Sequence, residues 1–148
     1  MADQKQFCTF YLDNHIFGVK VEQVQKVFRY QEVTKVPLAP PVVRGLINLR
    51  GQIITAIDLR RRLGMAPQPE DKLPMNVLLR TEDGVVSLLV DEIGDVLEVS
   101  EEGYERSPET IPQEFRELVL GVYKVQCKLL LILDSEKAVN VNAGILAT

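Results

Sequence analysis

The side chains able to do chemistry in this chain are few, and their spacing argues against most reactions. His15 is the only histidine. It closes the run Asp13-Asn14-His15, which suits a hairpin tip, so an exposed turn residue fits better than a general base. Cys8 and Cys127 lie far apart, each within an apolar strand-like run, which predicts buried reduced thiols rather than a disulfide or a redox pair. No Cys/His cluster has metal-ligand spacing, no glycine-rich loop precedes a helix, and no serine stands in a nucleophile elbow. The acidic run Asp91, Glu92, Asp95, Glu98, Glu101 and Glu102 lacks the ligand spacing and central glycine of a calcium loop and reads as a solvated face or a docking patch. Arg60-Arg61-Arg62 fall in a short predicted helix whose inward positions are Leu59 and Leu63, so they read as a solvated basic face. Five arginines and one acid lie between Arg44 and Arg62, and no base between Asp91 and Glu102, a contrast that would suit head-to-tail association. The chemistry expected is recognition, with no catalytic residue, no cofactor and no metal.

One arginine stands apart, because the chain is written twice. Phe10 to Val27 match Leu79 to Val96 at an offset of about 69 positions, and Gly45 to Leu63 match Gly121 to Val139 at about 76, so the second copy carries a loop roughly seven residues longer. The copies agree on Phe10/Leu79, Phe17/Val86, Val24/Ile93, Gly45/Gly121 and Asp58/Asp134. They disagree where the first reads Asn48-Leu49-Arg50-Gly51-Gln52 and the second reads Lys124-Val125-Gln126-Cys127-Lys128. Residues shared by both copies build the fold. Arg50-Gly51 therefore needs another reason, and a partner contact is the sharper one.

The elements that must position this turn follow from hydrophobic pattern. Strands are predicted at 7–12, 16–19, 24–30, 43–49 and 53–57, and again at 77–79, 85–90, 93–99, 121–125 and 129–133. Asp13-Asn14-His15 and Asp83-Gly84 make equivalent hairpin turns, and Val21-Glu22-Gln23 a single turn. Asp58 and Asp134 are placed to cap short helices, with Gly64 as a left-handed stop. About five strands and one short helix per copy is the pattern of a small closed barrel. The predicted fold is all-β, two five-stranded barrels packed together: the first over residues about 14–66, the second over 76–140 with strand 7–12 a candidate to complete it, and a proline-rich linker at 67–75. With 148 residues, stand-alone halves of roughly 65 would be only marginally stable, so the two are expected to form a single domain. A net charge of −4 and no tryptophan argue against a nucleic-acid partner. No apolar stretch approaches the roughly 18 residues that cross a bilayer, and the first residues lack signal-peptide character, so membrane insertion is not expected and a cytoplasmic location is.

Val36-Pro37-Leu38-Ala39-Pro40, Val43-Arg44-Gly45-Leu46-Ile47-Asn48-Leu49-Arg50-Gly51-Gln52-Ile53-Ile54 and Ala56-Ile57-Asp58-Leu59-Arg60 strongly resemble the CheW-type chemotaxis coupling proteins. The likeness extends through Leu89-Val90-Asp91 to Leu131-Ile132-Leu133-Asp134. It implies two SH3-like barrels around a shared interface, in a non-enzymatic adaptor that joins the cytoplasmic tip of a methyl-accepting chemoreceptor to the regulatory domain of the chemotaxis histidine kinase. The protein would be monomeric alone and assembled in receptor arrays. The rival is a binding module of the same fold serving a type IV pilus or gene-regulatory pathway.

By position, the resemblance places the receptor contact in the groove between barrels, at Val24, Val27 and Arg50, and makes Gly45, Asn48 and Gly51 interaction-sensitive. The repeat adds Val90 and Ile93 as the opposite wall. Lys26 stands where many members carry glutamate. Two residues from Val24 on a strand, it is expected to face the same side and set a second cation beside the groove, favouring an acidic receptor tip.

Overall fold

The computed structural model describes residues 4–69, 71–82, 84–105, 111, 113–125 and 128–140. The first repeat supplies β1 (Gln4–Leu12), β2 (His15–Lys20), β3 (Val24–Phe28), β4 (Val43–Leu49), β5 (Gln52–Asp58) and helix α1 (Leu59–Arg62). The second supplies β6 (Met75–Thr81), β7 (Gly84–Val90), β8 (Glu92–Ser100), β9 (Tyr104–Glu105), α2 (Gln113–Arg116), β10 (Val119–Val125), β11 (Lys128–Leu133) and α3 (Ser135–Val139). The all-β architecture is as expected.

The copies share pairing register as well as sequence. Leu12 faces His15 as Thr81 faces Gly84, Phe17 faces Leu131 as Val86 faces Thr55, and Leu49 faces Gln52 as Val125 faces Lys128. Asp13 takes φ 54 at the first hairpin, where an aspartate tolerates the left-handed region. Asp83 lies outside the described residues. Asp58 accepts from the Arg61 amide and Asp134 from the Lys137 amide at equivalent helix starts, each cap contributing about 0.5–2 kcal/mol. Gly64, at φ 76, ends the first helix.

The strands are dealt differently from the contiguous barrels expected at 14–66 and 76–140. One sheet runs β8-β1-β2-β11-β10-β9 and the other β3-β6-β7-β5-β4. Each sheet contains the opening hairpin of the other repeat, held there by parallel pairs between β5 and β7 and between β11 and β2. The physical reason is core size. A repeat folded on itself would bury too little, whereas exchanged hairpins put Phe10, Leu12 and Phe17 from one repeat and Leu79, Leu88 and Val90 from the other into one shared core. Fully burying each such side chain contributes about 1.5–3 kcal/mol. Smaller interiors lie behind each sheet: Phe7, Tyr123, Leu130 and Ile132 in one, Ile47, Ala56 and Leu89 in the other. The extra residues of the second copy are structural, since Ile111, Phe115 and Leu118 cover an end of the shared core. For this reason His15 is not an exposed tip; its ring packs edge-on against Phe115, centroids 5.1 Å apart. Cys8 is a half-buried free thiol whose pKa burial raises. Cys127 lies outside the described residues.

Candidate functional site

Leu49 pairs with Gln52, leaving Arg50-Gly51 as a two-residue hairpin turn. Both have positive φ, 52 and 87, as a type I′ turn requires. Gly51 meets that requirement freely. Arginine does not, and the left-handed region costs a non-glycine residue about 1–2 kcal/mol. The local hydrogen bond comes from Asn48, whose Oδ1 accepts from the Gly51 amide at 3.0 Å. Arg50 is exposed and makes no hydrogen bond or ion pair among the described residues. The turn thus carries a left-handed backbone at a non-glycine residue whose side chain it does not itself use. The matching turn residues 126–127 lie outside the described set.

A row of paired residues, Val24-Leu79-Val86-Thr55-Leu46, crosses the sheet, and the Arg50-Gly51 tip lies beyond it at the end where β3 starts. β3 is an edge strand. Val24 is half-buried against the shared core, while Val27 is 41% exposed. Both face the side of Leu79 and Val77, so the shared core emerges at the surface along this edge. Ile93 holds the equivalent place on β8, opposite Phe10 and packed on the same core. Val90 does not form a groove wall: it is 1% exposed, because it lies on an inner strand between β6 and β5 rather than on an edge.

Lys26 does not share a face with Val24. A β-bulge shifts the register so that Val24 pairs with Leu79 and Lys26 with Leu78. Adjacent residues of β6 point to opposite faces, and so therefore do Val24 and Lys26. The Lys26 ammonium sits 6.0 Å from the Phe28 ring centre, on the face away from Val24. Gly45 is buried and acts through the fold. A Cβ there would fall 2.2 Å from the Thr34 carbonyl oxygen, where Thr34 and Leu46 bridge the chain segment after β3 to β4.

The polar cluster that sequence reading missed centres on Arg60. The residue is 7% exposed. Its Nε donates to Asp91 at 2.7 Å, Nη1 donates to the Ala66 carbonyl at 2.7 Å, and Nη2 reaches both Asp91 and Asp13. Arg60 thus ties α1 to a hairpin turn of the other sheet. The Asp91 hydrogen bond foremost raises the Arg60 pKa. Desolvation pushes the Asp91 carboxyl up, but hydrogen bonds from Arg60 and the Asp13 amide, with the fields of Arg60 and Lys72, outweigh it and leave the pKa below the ordinary value. The three consecutive arginines are therefore not one solvated face; the sequence signal for this is the Arg60/Leu63 spacing, which places Arg60 beside the inward stripe. Arg62 is also engaged, donating to the Lys137 carbonyl at 2.9 Å, and Arg61 alone is exposed.

Among the described residues no group of three or more His, Cys, Asp or Glu could hold a metal, and no helix is long and apolar enough to cross a membrane.

Residues 6–142 match the family model of the CheW-like domain. The chemotaxis protein CheW of Treponema pallidum is 30% identical over 139 residues, covering 91% of this chain and 82% of that protein. CheW of Bacillus subtilis is 29% identical over 131 residues, covering 88% of this chain and 84% of that one. The crystal structure of the scaffolding protein TtCheW from Thermoanaerobacter tengcongensis superposes with a TM-score of 0.83 at 27% identity, covering 96% of this chain and 95% of that one.

Proposed function

From the premise that the chain belongs to the CheW-like family, we propose that it is a non-enzymatic chemotaxis scaffold that couples chemoreceptor cytoplasmic tips to the regulatory domain of the chemotaxis histidine kinase. The observation that carries the receptor half of this reading is Arg50, held exposed in a left-handed turn that a glycine or asparagine would fill better, at the end of the sheet where Val24 brings the shared core to the surface. An amphipathic receptor hairpin lays apolar residues along Val24 and Val27, with Ile93 as the equivalent apolar position on the other sheet. Arg50 donates hydrogen bonds at the rim. The kinase meets other barrel surfaces, and the protein works in the cytoplasm, on membrane-bound receptor arrays. Interfaces of this kind are modest and transient alone, so signalling depends on many formed together.

Arg50→Glu tests the reading. Receptor-fragment binding should weaken strongly, kinase-domain binding should persist, and the unfolding free energy should move by no more than about 0.5 kcal/mol, as for a surface change. Parallel loss of stability and of both partners would place Arg50 in the fold's own network.

A further inference from the structure

Val36-Pro37-Leu38-Ala39 form a β-turn closed by the Ala39 amide donating to the Val36 carbonyl. Leu38 occupies the third position at φ 65 with its side chain wholly in water, 104% exposed. A turn with proline second and positive φ third is a type II turn, whose third position favours glycine or asparagine. Leucine there serves neither the backbone nor a core. Pro37, Pro40 and Pro41 hold the loop rigid, so presenting Leu38 to a partner would cost little entropy.

Beside the turn lies a groove of about 540 Å3 between this loop and the linker, with Val36, Pro40, Leu73 and Pro74 in its walls. Arg44 on its rim is neutralised by Asp58 at 3.0 Å. Lys35 and Arg61 also line it and have no ion-pair partner among the described residues. In a chain of net charge −4, this is a local cationic field around apolar walls.

We propose that the Val36–Ala39 turn and its groove bind a short acidic segment of a partner protein that carries a bulky apolar side chain. The apolar residue packs on Leu38 and Val36, and carboxylates pair with Lys35 and Arg61. A protein segment fits better than an anionic membrane, because Leu38 and Val36 are too little apolar area for membrane anchorage and the cations line a concave groove rather than a flat face. This site is separate from the receptor contact at Arg50.

The test is fluorescence anisotropy with the full chain and a labelled ten-residue peptide of aspartate and glutamate around a central Leu-Phe pair. Saturable binding that weakens as salt rises is expected. Leu38→Asn, and separately Lys35→Glu combined with Arg61→Glu, should weaken it at least tenfold, whereas Arg50→Glu should leave it intact. Leu38→Asn should unfold at the same or a higher denaturant midpoint, since asparagine accepts the left-handed turn. No saturable binding, wild-type affinity in Leu38→Asn, or a lowered midpoint in that variant would overturn the proposal. So would Leu38-dependent flotation with vesicles of phosphatidylcholine and one-third phosphatidylserine, which would assign the turn to a membrane.

Discussion

Arg60→Ala is expected to destabilise the protein by about 3–5 kcal/mol, as for a buried ion pair that loses one member and strands the other. Arg60 spans α1 on one sheet, the Asp13 turn on the other and Asp91 between β7 and β8, so the loss falls on the junction of the barrels. Asp91 contributes most of the effect, because Asp13 is half exposed and its pairing is screened. The pH dependence follows from Asp91. Its pKa in the folded state lies below the ordinary carboxylate value, so its contribution is present at neutral pH and lost as pH falls below about 4 through the folded value. Arg60, with its pKa raised, keeps its charge throughout this range. Denaturant melts between pH 7 and 3 should therefore show the wild type losing stability on acidification and Arg60→Ala losing less. Arg60→Met with Asp91→Leu should recover much of the lost stability by replacing the pair with apolar packing. A change below 0.5 kcal/mol for Arg60→Ala would contradict a role for this cluster in holding the barrels together.

Gly45→Ala and Gly121→Ala should separate, although the two glycines are repeat partners at equivalent bulges. At Gly45 the new Cβ meets backbone, the Thr34 carbonyl oxygen at 2.2 Å and carbon at 2.8 Å, at φ 150. Relief requires giving up the two 2.8 Å hydrogen bonds between Thr34 and Leu46. Strain and two lost bonds together cost on the order of 3 kcal/mol. At Gly121 the nearest atoms to the Cβ belong to the Tyr104 side chain rather than to backbone, and that ring can shift along Tyr123 with loss of its 2.9 Å bond to the Leu120 carbonyl. That costs about 1 kcal/mol. Chemical denaturation of the two variants measures the difference; equal costs would refute the backbone-contact account of Gly45. Gly45→Ala molecules that remain folded should still bind a receptor fragment, since Gly45 is buried and offers no surface.

The repeat made most of the fold legible. Pairings such as Leu12 with His15 and Thr81 with Gly84, and the caps at Asp58 and Asp134, follow from one offset read twice. Hairpin exchange was legible only in strand 7–12 as a candidate to complete the second barrel, for a physical reason: the two hairpins have the same register and apolar face, so either could complete either barrel, and only the total burial decides. The site was legible in part. Arg50 emerged as the residue the repeat could not explain, and the structure gives it a strained, exposed turn. Lys26 was misplaced because simple alternation assumes an unbulged strand, and the bulge beside Gln25 carries no sequence signal of its own. Val90 was misplaced because repeat equivalence transfers strand position but cannot distinguish a surface wall from the core beneath it. Arg60 was hidden among its neighbours, since its partners Asp13 and Asp91 come from distant segments that meet only after hairpin exchange.

Bridging tests the central claim most directly. A chemoreceptor cytoplasmic hairpin is immobilised, and the kinase regulatory domain is passed over it with and without this protein. The account predicts that the kinase domain is retained only when the protein is present and that Arg50→Glu abolishes retention while still binding the kinase domain in solution. Failure of the wild-type protein to retain the kinase domain, or full retention by Arg50→Glu, would contradict it.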